Sequence, residues 1–148
     1  MNSLEELSQF YLNLPFNKFL GLQAEGISAK KACLTFQLKQ EFIGNTHKNI
    51  LHGGVIASVM DACGGILALA SLYHKLSGLS RQQIIDKLCR SSTIDMRVDF
   101  LHPGVGTQFK IEAELLRSGK RIAVTKMQLH NETQMIANGS ATFLLGQD

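Results

Sequence analysis

The feature that most constrains the fold of this chain is one long apolar segment with a single carboxylate inside it. Nearly every side chain in residues 55–72 is apolar or small, and Asp61 is the only charged residue in positions 51–73. A charged group at the centre of a bilayer costs about 2.5–3.5 kcal/mol, and strand patterns follow the segment, as in a soluble domain. We therefore predict a helix over Gly53–Tyr73 that is buried by protein, and no membrane partner.

Alternating apolar and polar residues predict strands on both sides of this helix. The predicted strands cover residues 23–28, 32–38, 94–100, 109–115, 121–130 and 135–145. Short turns between strands require antiparallel neighbours, and a helix that is apolar all round must be wrapped by a curved sheet or covered by a second subunit. We predict a single α+β domain over residues 1–148, with an antiparallel sheet wrapped around a long central helix.

Three other segments have local patterns of their own. Residues 1–20 should contain a short helix that opens with a serine–glutamate capping box, and Pro15 should end it and begin an apolar link. Residues 71–90 should form a helical insertion whose helix is capped by Ser80. Residues 41–51, rich in Gly, Asn and Thr, are predicted to be a loop.

The charge balance and the cysteines bear on partners and compartment. Lys plus Arg is 15 and Asp plus Glu is 12, a net charge of +3 without a basic run, so we expect no nucleic-acid partner. Cys33, Cys63 and Cys89 lack CxxC spacing and lie among apolar residues, which predicts buried free thiols in a reducing compartment. No signal-peptide pattern precedes the first helix, and we expect a cytoplasmic protein.

Two glycines, Gly53 and Gly54, stand where the central helix begins. Glycine costs about 1 kcal/mol against alanine in a helix, so its place here indicates a close approach to the backbone, either by a packed strand or by a ligand. The first N–H groups of a helix have no helical acceptor, and the helix dipole is positive at that end. The helix start could therefore bind an anion or a developing oxyanion.

Asp61 is the candidate catalytic carboxylate. Apolar surroundings should raise its pKa, which suits a general base; a structural carboxylate that caps a loop or pairs with Arg97 is the alternative. Gly54 lies on the same stripe of small residues, seven positions before Asp61, or about 10.5 Å along the axis. Reacting atoms must lie about 3–3.5 Å apart. If both act on one substrate they come from different chains, which predicts a homodimer.

These motifs also resemble those of a known family. The resemblance is carried by His-Gly-Gly-Val-Ile-Ala-Ser at residues 52–58, by Asp61, by Thr-Ile-Asp-Met-Arg-Val-Asp-Phe-Leu at residues 93–101, and by Pro103-Gly104. Together they resemble the phenylacetyl-CoA-thioesterase-like branch of the hotdog superfamily, and the order of elements matches over nearly the whole chain. The resemblance implies a hotdog fold, dimers or dimers of dimers, and hydrolysis of acyl-CoA to free acid and CoA without a cofactor.

The same resemblance implies a role for each candidate catalytic residue. Asp61 would be the general base or the nucleophile, and the N–H of Gly53 or Gly54 of the partner chain would polarise the thioester carbonyl.

Three further positions are carried over in the same way. His52 would shape the entrance of the site, and Thr93 would face the attacking water; ordinary structural roles explain both residues equally well. Relatives usually carry an asparagine six residues before the histidine. Thr46 stands there, so Asn45 is expected to take that role.

A basic turn offers a site for the phosphates of CoA. Arg117, Lys120 and Arg121 lie in one predicted hairpin. They are expected to contact the nucleotide end of the substrate, unless the turn is simply a solvated hairpin tip.

The insertion at residues 71–90 is expected to cover the acyl tunnel. The histidines show no zinc-site spacing, so no metal is expected.

Two rival functions stay open. The same fold hosts acyl-thioester dehydratases and hydratases, and a non-catalytic acyl-CoA sensor would keep the tunnel and the basic turn without needing an ionisable Asp61.

Overall fold

The predicted central helix is present as α3, Gly53–Tyr73, in the computed structural model, which describes residues 3–146. It packs chiefly on two long strands, β6 (Gln108–Ser118) and β7 (Ile122–His130). Among the helices of residues 3–146, α3 is the one long and apolar enough to span a membrane, and 67% of its apolar window is buried inside the fold. The helix forms the core of the fold.

One curved antiparallel sheet surrounds this helix. Its other strands are β1 (Gln23–Ile27), β2 (Lys31–Gln37), β5 (Ser92–Phe100) and β8 (Met135–Leu144). The strand order is β1-β2-β6-β7-β8-β5, and every neighbouring pair is antiparallel. The predicted fold class is confirmed: an antiparallel sheet wraps a long central helix.

The N-terminal segment contains two helices, and the prediction named only one. Helix α1 (Leu4–Leu12) begins as predicted, with Ser3 Oγ accepting the N–H of Glu6 at 3.1 Å. The apolar link predicted after Pro15 is wrong, because α2 (Pro15–Leu20) forms there. Proline in the first turn of a helix loses no hydrogen bond, and Gly21, at φ 71°, ends the helix in the left-handed region.

The insertion and the loop before α3 differ in how well they were predicted. Helix α4 (Arg81–Cys89) is capped by Ser80, as predicted, in a capping box with Gln83. The loop predicted for residues 41–51 instead contains a 3₁₀ turn and a short antiparallel pair, β3 (Ile43–Asn45) and β4 (Ile50–Leu51). Phe42, which is fully buried, anchors this segment to the core.

Strand β5 lies at the edge of the sheet, and part of its apolar face is uncovered. Met96 and Val98 are half-buried, as predicted for the whole strand, but Ile94 is 52% and Phe100 58% exposed. Ile94 and Phe100 are more exposed than predicted because α3 packs mainly on the central strands β6 and β7 and covers little of β5.

The three cysteines are free thiols in different surroundings. Cys63 on α3 is buried, Cys33 is half-buried and Cys89 is exposed. The prediction of buried thiols is therefore wrong for two of them. Cys33 points to the outer side of β2, between the buried Ala32 and Leu34, and Cys89 ends the amphipathic helix α4.

Candidate active site

The start of α3 is shaped by His52. This residue is the N-cap of the helix, with extended backbone angles (φ −67°, ψ 137°), and its Nδ1 accepts the N–H of Gly54 at 2.8 Å. A side chain at Gly54 would bring a Cβ within 3.0 Å of His52 Nδ1. The glycine therefore allows the histidine ring to fold back onto the helix end.

The N–H group of Gly53 is not bonded by the His52 cap, which accepts the N–H of Gly54 instead. No residue in the described range 3–146 accepts a hydrogen bond from Gly53 N–H. A Cβ at Gly53 would lie 3.3 Å from Phe100 Cε1, so the ring of Phe100 approaches the backbone at this point. The helix start thus presents one N–H that is free to bind an oxygen atom, beside an aromatic ring.

Asp61 lies two turns further along α3 and is half-buried. It borders an open cavity of about 280 Å³ together with Tyr11, Phe16, Ser58 and Met96. Burial raises the pKa of Asp61, and a hydrogen bond from Thr93 counteracts part of that increase. The carboxylate is therefore accessible to a small molecule and more basic than an exposed aspartate.

Thr93 of β5 is the partner of this carboxylate. Its Oγ1 donates to Asp61 Oδ1 at 2.9 Å, and no donor to Oδ2 is present within residues 3–146. Arg97, the alternative partner named from the sequence, instead binds Asp99 at 3.1 Å through Nε and Nη2. The structure thus brings Thr93 and Asp61 together and keeps Arg97 away.

Two residues of the N-terminal segment border the same cavity, although the sequence patterns did not point to them. Tyr11 lies in the last turn of α1. Burial of its hydroxyl raises its pKa, and the charge of Asp61 adds to the effect. The side chain of Asn17 on α2 is buried and donates to the main-chain oxygen of Tyr11 at 2.9 Å. Tyr11 and Asn17 border the cavity with Asp61 although both precede it by more than 40 positions in the sequence, so no local pattern predicts their place there.

Asn45 ends strand β3, and its side chain is occupied in the turn that follows. Its Oδ1 accepts the N–H groups of His47 at 3.1 Å and Lys48 at 3.3 Å. The adjacent Gly44 packs on His52 so closely that a Cβ there would lie 2.9 Å from His52 Cα. The β3–β4 pair is therefore a neighbour of His52, and Asn45 stands at the outer end of that pair.

The basic turn is at the other end of α3. Lys75 Nζ donates to the main-chain oxygens of Ser118 at 3.1 Å and Gly119 at 2.9 Å, and the hydroxyls of Ser71 and Ser118 lie 3.1 Å apart. Ten residues of helix separate Ser71 from Asp61, about 15 Å along the axis. Within one chain, the structure does not bring the cations of residues 117–121 to the carboxylate.

The arrangement has the parts for attack on a polarised carbonyl, but they are separated in one chain. Gly53 and Asp61 are eight residues apart on one helix, about 12 Å along the axis. Within residues 3–146, no group of three His, Cys, Asp or Glu side chains is placed to hold a metal ion. The available chemistry is that of one basic carboxylate and one backbone donor.

Comparison with known proteins gives consistent results in sequence and in structure. Residues 48–137 match the family model of the Thioesterase superfamily. The medium/long-chain acyl-CoA thioesterase YigI of Salmonella typhimurium is 40% identical over 138 residues, 93% of this chain and 89% of the relative. Acyl-coenzyme A thioesterase 13 of Mus musculus is 28% identical over 123 residues, 81% and 78% of the two chains. A crystal structure from Shewanella oneidensis, of a protein described as related to the thioesterase superfamily, has a TM-score of 0.89 at 36% identity, over 96% of this chain and 94% of that one.

Proposed function

The chain belongs to the thioesterase superfamily, and we propose that it hydrolyses acyl-CoA thioesters to the free acid and CoA. The observation that carries this proposal is the half-buried Asp61, which borders an open cavity and is held by Thr93. The printed activities of the Salmonella and mouse relatives support an acyl-CoA substrate.

Asp61 is the proposed base or nucleophile. The hydrogen bond from Thr93 fixes Oδ1, so that Oδ2 is free to take a proton from water or to attack the thioester carbon. The raised pKa of Asp61 makes it a better proton acceptor near neutral pH than an exposed aspartate. Thr93 is thus a positioning residue for the carboxylate, in addition to the water-facing role expected for it.

The oxyanion that forms in the attack is proposed to bind the free N–H of Gly53. His52 supports this choice, because its Nδ1 occupies the N–H of Gly54 and so directs the substrate oxygen to the preceding residue. Removal of one such donor typically costs about 10²–10³ in rate. Phe100 beside Gly53 is placed to shield the thioester from water.

The complete site is proposed to lie across a homodimer. About 12 Å of helix separate Gly53 from Asp61, whereas reacting atoms must approach to about 3–3.5 Å, so the donor comes from the partner chain. The exposed apolar residues Ile94 and Phe100 at the sheet edge support a surface that a second copy covers. Asn45 of the same partner region would then approach the thioester.

Arg117, Lys120 and Arg121 are proposed to bind the phosphates of CoA. The turn that carries them is held in place by Lys75. Their distance from Asp61 is compatible with a substrate whose charged nucleotide end lies far from its thioester.

The test is release of free thiol from a panel of acyl-CoA substrates by the wild-type chain and by Asp61→Asn. Loss of a general base should lower kcat by about 10²–10⁴ with the fold intact. Asp86→Asn is the matched control, since Asp86 is an exposed aspartate on α4, and it should keep wild-type turnover.

Other results would favour another function. Loss of crotonyl-CoA absorbance without free thiol would indicate hydration, and thermal stabilisation by acyl-CoA without turnover would indicate a sensor. Wild-type turnover in Asp61→Asn would exclude the assigned role.

A further inference from the structure

The hydroxyl of Tyr11 is a buried ionisable group beside Asp61, and the mechanism proposed above does not use it. Tyr11 borders the same cavity as Asp61, together with Asn17 and Ser58. It reaches this place because α1 packs on α3. Building on the proposed function, with Asp61 as the general base, we propose that Tyr11 is a further catalytic residue, whose hydroxyl holds the attacking water against the Asp61 carboxylate.

The hydroxyl of Tyr11 lies directly on α3, one turn beyond Asp61. A Cβ at Gly65 would lie 2.6 Å from Tyr11 Oη, so the hydroxyl occupies the space that a side chain at position 65 would fill. Positions 61 and 65 are four residues apart on one face of the helix, and side chains placed in this way have Cβ atoms about 5–6 Å apart. The phenol oxygen and the carboxylate are therefore neighbours on one face of α3.

The two groups interact without a direct hydrogen bond. Within residues 3–146 the Asp61 carboxylate accepts one hydrogen bond, from Thr93 Oγ1 at 2.9 Å, and the Tyr11 hydroxyl donates none. Burial raises the pKa of Tyr11, and the negative charge of Asp61 raises it further. Two polar groups that are too far apart for a direct bond, and close enough for this effect, have the separation that a single bridging water spans.

The hydrogen-bonding capacities of the two groups suit such a water. The raised pKa keeps Tyr11 protonated near neutral pH, so its hydroxyl is a constant donor, whereas Oδ2 of Asp61 is a free acceptor. A water between them accepts from Tyr11 and donates to Oδ2, which supplies two of the two to four polar partners that a buried water needs. A water occupies about 30 Å³, so the cavity of about 280 Å³ has room for it and for a thioester group.

In the proposed step, the water attacks the thioester carbon with its second lone pair and transfers one proton to Asp61 Oδ2. Collapse of the tetrahedral intermediate breaks the carbon–sulfur bond, and the CoA sulfur leaves with the electron pair and takes that proton from Asp61. Tyr11 keeps its own proton throughout. Its contribution is to orient the water, so that the attacking lone pair faces the carbon while the departing proton faces the carboxylate.

The first experiment removes the hydroxyl and keeps the ring. Tyr11→Phe should lower kcat about tenfold, the effect of one hydrogen bond, while KM for acyl-CoA and Tm stay close to wild type. Tyr73→Phe is the matched control and should keep wild-type kcat, because Tyr73 is the other tyrosine of the chain and ends α3, 12 residues beyond Asp61. A wild-type kcat in Tyr11→Phe, or a loss that appears in KM instead of kcat, would overturn the inference.

The second experiment displaces the hydroxyl without removing it. The Cβ of Gly65→Ala takes the place of Tyr11 Oη, so this variant should lose about as much kcat as Tyr11→Phe. In the double variant the hydroxyl is gone and the nearest ring atom, Cζ, lies 3.6 Å from the Cβ position, so Gly65→Ala should then cost less than about twofold. Two independent packing defects would multiply, and a double variant about a hundredfold slower than wild type would refute the shared hydroxyl.

The outcomes separate this inference from the proposed function on which it rests. Free-thiol release that collapses in Asp61→Asn and stays at the wild-type rate in Tyr11→Phe would contradict the role of Tyr11 alone. If the wild-type chain released no thiol from any acyl-CoA substrate, the proposed function and the role of Tyr11 would both be refuted.

Discussion

Two chains that are each inactive should recover activity when they pair, if Asp61 and Gly53 act on one substrate from different protomers. The first chain carries Asp61→Asn. The second carries Gly53→Pro, which removes the free N–H while keeping the helix, because proline is tolerated at the first helical position and His52 before it is already extended (φ −67°, ψ 137°). Gly53→Ala is the matched control, since it adds a Cβ 3.3 Å from the exposed ring of Phe100 but keeps the N–H.

The magnitudes make the experiment decisive. Loss of the base should cost about 10²–10⁴ and loss of the donor about 10²–10³, so each homodimer should retain at most about 1% of wild-type turnover. In a two-fold heterodimer, one site receives both substitutions and the other receives neither, so the purified mixed dimer should show about half of wild-type activity. The chains would be co-expressed with different affinity tags, purified over both columns and assayed by free-thiol release. A mixed dimer that is no more active than the more active of the two homodimers would refute a site shared between protomers. It would also refute the inference from the roughly 12 Å of helix between Gly53 and Asp61.

Three further predictions concern the same groups. Thr93→Val removes the hydrogen bond that lowers the pKa of Asp61, so the acidic limb of the kcat/KM profile should move to higher pH, while Thr93→Ser should leave it in place; an unmoved limb in the valine variant would contradict the positioning role. Replacing Arg117 and Arg121 by serine should raise KM for acyl-CoA several-fold and reduce the dependence of KM on salt. KM for short N-acetylcysteamine thioesters, which lack the nucleotide, should stay unchanged. An equal rise in KM for both kinds of substrate would argue against phosphate contact. Burial raises the folded-state pKa of Asp61, so the wild-type chain loses stability as pH rises through that pKa. Asp61→Asn should therefore raise Tm near pH 8 and leave it almost unchanged near pH 4, and a gain that is equal at both pH values would exclude the buried charge as its cause.

The fold was predictable because its main elements follow strong local rules. The uninterrupted run of apolar residues around Asp61 predicts α3 with the bounds observed, Gly53–Tyr73. The alternation of apolar and polar residues predicts the six strands of the sheet. Serine caps located the starts of α1 and α4. The sequence pattern does not predict the helix at Pro15–Leu20, because a proline that ends one helix is equally suited to begin another.

The candidate site was only partly predictable, since it depends on long-range contacts. Asp61 and the glycines of the helix start could be named from their neighbours in sequence, but the availability of each N–H depends on the orientation of the His52 ring. The hydrogen bond between Thr93 and the carboxylate follows from the packing of β5 against α3. Tyr11 lies in a segment whose pattern indicates no more than an amphipathic helix.

The two glycines that follow Asp61 explain how the N-terminal helix becomes part of the site. A Cβ at Gly64 would lie 2.9 Å from Thr125 Oγ1 and 3.0 Å from Phe143 Cζ, so Gly64 lets the sheet approach α3 from one side. Gly65, rotated by about 100° around the helix, lets Tyr11 approach from the other, with 2.6 Å between its hydroxyl and the position of a Cβ. Both close contacts require that α3 carry no side chain at positions 64 and 65. The docking of α1 therefore depends on the absence of a side chain at Gly65, and it brings Tyr11 to the cavity that Asp61 borders.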